Sequence, residues 1–146
     1  MNRDTRLSGV LHVLLHLEQA ASPLTSDQLS KTMGTNPAVF RRTMSGLRNA
    51  GYVQSGKGHG GGWSLKKPLS DISLLNVFEA LEHTNIFSFG LRNENTNCKV
   101  EGAVNLVLSE SMARAQALLL DSFENVTLDQ IAHLVKHSSS KLESKE

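Results

Sequence analysis

Arg41 and Arg42 follow Asn36-Pro37-Ala38-Val39-Phe40, a run whose residue types open a helix. Two guanidiniums in the first turns of a helix can reach phosphate oxygens or base edges, and arginine to guanine is the commonest specific contact in the DNA major groove. Thr35 and Asn36 are placed to cap that helix, and both could also donate to phosphate. Further along, Lys57 and His59 alternate with glycines in Gly56-Lys57-Gly58-His59-Gly60-Gly61-Gly62, where a chain nearly free of side chains lets its backbone approach another surface. Arg48 faces either a phosphate or an acidic neighbour, and the residues alone leave both open. The expected polyanion-binding set is therefore Thr35, Asn36, Pro37, Arg41, Arg42, Arg48, Lys57, His59, Gly60 and Gly61.

Cys98 is the one cysteine of the chain. It precedes Lys99 at the start of a long helical pattern, where the helix dipole and the ammonium both favour a thiolate, so it is the candidate redox-sensing residue. A buried structural cysteine is the alternative. His12/His16 and His133/His137 are pairs at helical i, i+4 spacing, but each lacks an obvious third ligand and no metal site is expected. Glu79 and Glu82 share a helix face with no nucleophile or base beside them. There is no phosphate-binding Walker loop, no nucleophile elbow and no zinc signature, and the glycine-rich stretch precedes a strand, not a helix. Neither catalysis nor a cofactor is expected.

The elements that must carry these residues read clearly. Leu7, Val10, Leu11, Leu14, Leu15 and Leu17 recur at helical spacing and predict an amphipathic helix over residues 4–20. After Pro23, Thr25-x-x-Gln28 is a capping box opening a second, short helix with Leu29 and Met33 inward, which Gly34 ends. Asn36 and Pro37 then start a third helix whose apolar face is Val39, Phe40, Met44 and Leu47, and Gly51 stops it. Two short helices across a tight turn make a helix-turn-helix. The strand-like segments Tyr52–Ser55 and Gly62–Leu65 around the glycine-rich tip make a hairpin wing, with Trp63 expected to pack that wing onto the body. Pro68 closes the unit, and Ser73 caps a fourth helix burying Leu74, Val77, Phe78 and Leu81.

Beyond it the pattern changes. Residues 85–97 lose periodicity and read as a linker with Ile86, Phe87 and Phe89 tucked down. A long helix from Lys99 to Phe123 then carries Val100, Val104, Val107, Leu108, Met112, Ala115, Leu118 and Leu119 along a broad apolar stripe, which Ala113, Ala117 and Leu120 widen. A helix apolar on two sides needs two partners, and a second copy of the chain supplies the missing one. Thr127-x-x-Gln130 caps a final short helix ending at Leu134, and the polar tail is expected to be disordered. The organisation predicted is a winged helix-turn-helix over 1–84, a linker over 85–97, a dimerisation helix with the final helix over 98–135, and a flexible tail over 136–146. The fold class is mainly α with one small β-hairpin.

Composition agrees with this division. The formal charge of +1 hides an asymmetry: residues 1–70 hold nine basic and three acidic residues, and residues 71–146 hold six basic and eleven acidic ones. A basic half suited to a polyanion adjoins an acidic half with another task. No uninterrupted apolar run of about 18 residues is present to span a membrane, and the N-terminus lacks the pattern of a secretion signal. With a single cysteine, the expected compartment is the reducing cytoplasm.

Taken in order, Gly34-Thr35-Asn36-Pro37, Arg41-Arg42, Leu47-Arg48-Asn49-Ala50-Gly51, Gly60-Gly61-Gly62-Trp63-Ser64-Leu65 and Asp71-Ile72-Ser73-Leu74-Leu75 with Val77-Phe78-Glu79-Ala80-Leu81 resemble the Rrf2 family of winged-helix regulators, which includes iron–sulfur, nitric-oxide and cysteine-metabolism repressors. The likeness runs from Arg6 to about Leu134. It implies a homodimer with crossing long helices that binds an imperfect palindrome in double-stranded DNA and represses transcription. Cluster-binding members carry three closely spaced cysteines where this chain has only Cys98, so the chain looks like the branch that lacks them, and no cluster is expected. The input is then thiol oxidation or electrophile attack at Cys98, or alternatively a small ligand lined by Phe87, Phe89 and Met112 between winged domain and long helix. A winged helix used for protein contact is the remaining alternative.

Overall fold

The computed structural model describes residues 3–82, 86–87 and 90–143, with side chains as far as residue 138. Helix α1 (Arg6–Gln19) starts without a side-chain cap from Thr5. Asp4 takes over, accepting the Arg6 backbone N–H at 3.0 Å and the Arg6 guanidinium at 2.6 Å. Those hydrogen bonds hold the Asp4 carboxyl below its ordinary range. Val10, Val13, Leu14 and Leu17 of α1 are buried, Val13 being a core residue the leucine pattern did not single out.

The predicted capping chemistry is present for the next two helices, with Asn36 and not Thr35 supplying the side-chain cap of the second. Helix α2 (Ser26–Met33) opens on a reciprocal Thr25/Gln28 box and ends at Gly34 in the left-handed region, φ 74°. Helix α3 (Pro37–Asn49) begins with Asn36 accepting the Val39 N–H at 3.0 Å and Pro37 in its first turn. Phe40, Met44 and Leu47 are its buried face. Val39, expected there too, stands 36% exposed, because one residue before Phe40 is about 100° round the helix.

Strands β1 (Val53–Gly56) and β2 (Gly62–Leu65) pair antiparallel with Val53 opposite Leu65 and Gly56 opposite Gly62. A 3-10 turn at Leu69–Asp71 leads to α4 (Leu74–Ala80), capped by Ser73 with Asn76 in a box of its own. Helix α5 spans Lys99–Glu124, close to the expected limits, and not one of its residues is buried.

Helix α6 (Leu128–Glu143) departs from expectation twice. It runs well past Leu134 through residues expected to be a disordered tail. Once a helix is nucleated, each further residue adds a backbone hydrogen bond at little cost, and Ser138 further bonds the Leu134 carbonyl at 3.0 Å. Nor does its start belong with the long helix alone. Leu128 donates its N–H to the Ile72 carbonyl and Leu74 donates to Val126, both at 2.9 Å, and Leu128 and Ala132 join the core of the winged unit. Thr127 spends its hydroxyl on Asp129, where the spacing pointed to Gln130. Phe89 lies outside the described residues.

One contact constrains the core more tightly than any side chain. A Cβ on Gly46 of α3 would stand 2.1 Å from the Ala80 carbonyl oxygen, so α3 and α4 touch backbone to backbone. Gly46→Ala should therefore lower stability by a net ~1–2 kcal/mol or more, since overpacking exceeds the ~1 kcal/mol gain in helix propensity. Gly102→Ala, in α5 with nothing within 4 Å, should gain ~0.5–1 kcal/mol in the same urea titrations.

Candidate nucleic-acid interface

The buried face of α3 sets where its other residues point. At about 100° per residue, the pole opposite Phe40, Met44 and Leu47 carries Ala38, Arg42, Ser45 and Asn49. Arg42 is thus on the outermost stripe, exposed, while Arg41 and Arg48 share the flank towards the wing. Ser45 and Asn49 were missed by sequence reasoning. The phase of Phe40, Met44 and Leu47 was the signal that could have found them.

On the wing side lies an open groove of about 430 Å³ lined by Thr25, Ser26, Asp27, Arg41, Arg48, Ser55, Lys57 and the wing glycines. Three cations against the single carboxylate of Asp27 make its walls net positive, and the α2 N-terminus adds partial positive charge. The groove has the polarity to take a phosphate backbone. Arg42 lines a different hollow of about 270 Å³, with Arg6, Ser45, Asn49 and Glu82. The adjacent arginines, about 100° apart round α3, therefore serve different hollows.

Arg48 forms no ion pair with an acidic neighbour among the described residues. Its guanidinium donates to the Ser55 hydroxyl at 3.1 Å and lies over the Trp63 ring, 5.7 Å from the centroid. It ties the end of α3 to β1. Trp63 packs the wing as expected: it is 4% exposed, donates Nε1–H to Ser26 at 2.9 Å, and meets Phe40 edge-on. Asn36 spends its side-chain oxygen on capping, and Thr35 is half-buried. Lys57, His59 and Gly60 are exposed at the wing tip, where Gly58 and Gly60 have φ of 81° and 77° and Gly61 donates to the Gly58 carbonyl. Only glycine adopts such a tip without strain.

Cys98 is exposed at the N-cap of α5, and its thiol does not cap the helix. Thr96 does the fastening instead, accepting the Cys98 N–H at 3.0 Å and donating to Glu101 at 2.8 Å. Glu101 brings a carboxylate to the same turn as Lys99, which offsets the positive charge the sequence suggested. Along α5, Val100, Val104, Val107, Leu108, Ala115 and Leu118 are exposed, with Val100 and Leu118 each at 73%. Met112 and Leu119 are half-buried and lie on the flank of Phe123, which packs on Phe78 of α4. Leu106, which sequence reasoning passed over, is 61% exposed on another side.

Comparison with known proteins gives the same outline. The Rrf2 family profile, described as an iron-dependent transcriptional regulator, matches residues 3–134. YwnA of Bacillus subtilis, named an HTH-type transcriptional regulator, is 30% identical over 132 residues, covering 90% of this chain and 98% of YwnA. Among solved structures, a transcriptional regulator from Lactobacillus plantarum superposes with TM-score 0.77 at 18% identity, over 98% of this chain and 97% of that one. IscR of T. potens superposes with TM-score 0.69 at 17% identity, over 94% and 90%. At those identities the structural likeness concerns the fold. Among the described residues, the iron in the family description finds no matching donor set. A cluster needs several thiolate or imidazole ligands, the chain has one cysteine, and among the described residues no three His, Cys, Asp or Glu side chains converge.

The Trp63–Ser26 bond joins wing to helix-turn-helix, and its loss leaves a buried N–H without an acceptor. Ser26→Ala should cost about 1–3 kcal/mol in chemical denaturation. The fluorescence of Trp63, the chain's only tryptophan, gives the readout directly.

Proposed function

Because the chain belongs to the Rrf2 family of transcriptional regulators, we propose that it is a homodimeric, sequence-specific repressor of the cytoplasm, gripping an imperfect palindrome with α3 and the wing. The observation that carries this reading is the division of labour on α3. Arg42 with Ser45 and Asn49 faces outward to read base edges, while Arg41 and Lys57 flank a groove of phosphate-binding polarity. Phosphate contacts position such a protein and base contacts give it sequence preference. Thr35, Asn36, Pro37, His59, Gly60 and Gly61 frame the same surface. The exposed stripe of α5 supports pairing with a second copy, since a contiguous apolar face of that size marks an interaction surface. Among the described residues no helix is long and apolar enough to cross a membrane.

The input we propose is oxidation or alkylation of Cys98. Its support is position and access: an exposed thiol at the N-cap of the long helix, where the chain leaves the segment that joins it to the winged unit.

Fluorescence anisotropy on DNA from immediately upstream of the protein's own gene, against scrambled DNA, tests the reading. Arg42→Ala should cost about 1–3 kcal/mol on the specific site and relax its preference. Lys57→Ala should weaken both DNAs alike and lower the salt slope by about 1. Diamide should release the wild-type protein and leave Cys98→Ser bound. Release of both by diamide rejects the thiol input, and equal weak binding to both DNAs, unaltered by Arg42→Ala, rejects the DNA-reading surface.

Light scattering after gel filtration checks the assembly. Wild type should run as a dimer, and Val107→Glu, which places a charge mid-stripe, should run as a monomer at micromolar concentration. A monomeric wild type excludes the arrangement.

A further inference from the structure

A helix seated in DNA has a strand on each side of it. The major groove is about 12 Å wide and a helix with its side chains about 10–12 Å across, so both flanks of the helix meet a sugar-phosphate backbone. The groove beside the wing serves one flank of α3, through Arg41 and Lys57. The other flank carries Thr43 and Gly46, about 140–160° round the helix from Arg41 and Arg48. It borders the second hollow, which the end of α4 and the start of α1 complete with Leu81, Glu82 and Arg6. Two guanidiniums against the Glu82 carboxylate leave that lining net positive, the same polarity as the wing groove.

Arg6 is the cation that α1 brings to this hollow, on a side chain that keeps 41% of its surface in solvent. A guanidinium is planar and offers hydrogen-bond donors along more than one edge. Asp4 takes the edge formed by Nε and Nη2, with Nε donating to Oδ1 at 3.0 Å and Nη2 to Oδ2 at 2.6 Å. Among the described residues Nη1 has no hydrogen-bond partner, so its N–H groups remain for an acceptor.

On the DNA-binding reading of α3, which this inference presupposes, we propose that Arg6 is a second phosphate clamp, gripping the strand that faces the one held at the wing. Arg42, on the outermost stripe of α3, stands between the two walls and is left for base edges. Asp4 offsets the charge of Arg6 without occupying the Nη1 side. The carboxylate therefore weakens the clamp, and its removal favours the phosphate.

The test uses the full-length protein and the same two DNAs, titrated over a series of salt concentrations. Each phosphate contact contributes about 0.9 to the slope of log K against log salt. Arg6→Gln should lower that slope by about 0.9 per half-site on both DNAs and leave the preference between them intact. Asp4→Asn should bind both DNAs at least as tightly as wild type. Phosphate ethylation along the upstream DNA should show two sets of sensitive phosphates on facing strands, of which Lys57→Ala loses one and Arg6→Gln the other.

An unchanged slope in Arg6→Gln, with Arg42→Ala still relaxing the sequence preference, overturns the clamp and leaves the DNA reading standing. Weakening shared by Asp4→Asn reduces the pair to a helix cap and also overturns the clamp. Loss of the same phosphates in Lys57→Ala and Arg6→Gln overturns the facing-strand assignment. Equal weak binding to both DNAs, unaltered by Arg42→Ala, rejects the reading and the clamp with it. Trp63 fluorescence in urea confirms that each variant is folded.

Discussion

Trp63 is the point at which the winged unit is tied together. Its backbone exchanges two hydrogen bonds with Leu24, at 2.7 and 3.0 Å, which draws the segment between α1 and α2 against the wing as a third, one-residue strand. Its ring is bonded to Ser26, edged by Phe40 and covered by Arg48. Side chains from the start of α2 and from two turns of α3 thus meet one indole. The backbone pairing also explains Gly62, whose φ of 138° and close approach to the Leu24 carbonyl leave no room for a side chain. The spacing between α3 and the wing is set here, by a rigid aromatic and not by the glycines at the tip.

The other half of the chain follows the opposite rule. Helix α5 presents valines and leucines at 41–73% exposure and buries nothing, so its stability does not come from the protomer's own core. Twenty-six residues of helix extend about 39 Å, longer than the winged unit can cover. A helix of this kind is held by partners, and the proposed dimer is where its apolar surface would be removed from water.

Sequence reading succeeded where a signal is local. Thr25 with Gln28, Gly34, Asn36 with Pro37, and Ser73 each act within a single turn of chain, and each is where it was expected. It failed where the cause is a distant neighbour. Nothing near Gly46 announces the Ala80 carbonyl, and nothing near Leu128 announces that Ile72 will receive its N–H. The interface shows both cases. Arg41 and Arg42 were visible as types, but their assignment to different hollows is a matter of phase against Phe40, Met44 and Leu47. The partners of Arg48 lie across the wing, out of reach of any local pattern.

The return of the chain at Leu128 has a mechanical consequence. Two backbone hydrogen bonds clamp the Val126–Leu128 junction to Ile72 and Leu74, and Phe123 rests on Phe78 just before it. At the opposite end of α5 the described moorings are made through side chains, Thr96 and Asn93 to Glu101, and Asn105 to the Arg92 and Asn93 carbonyls. Helix α5 is in effect a cantilever, with its fulcrum at Phe123 and its longer arm, held by side-chain hydrogen bonds, ending at Cys98. A tilt too small to disturb Phe78 sweeps the Cys98 end through the largest arc available to the helix, and a push at Cys98 acts on the fulcrum with the full length of the arm.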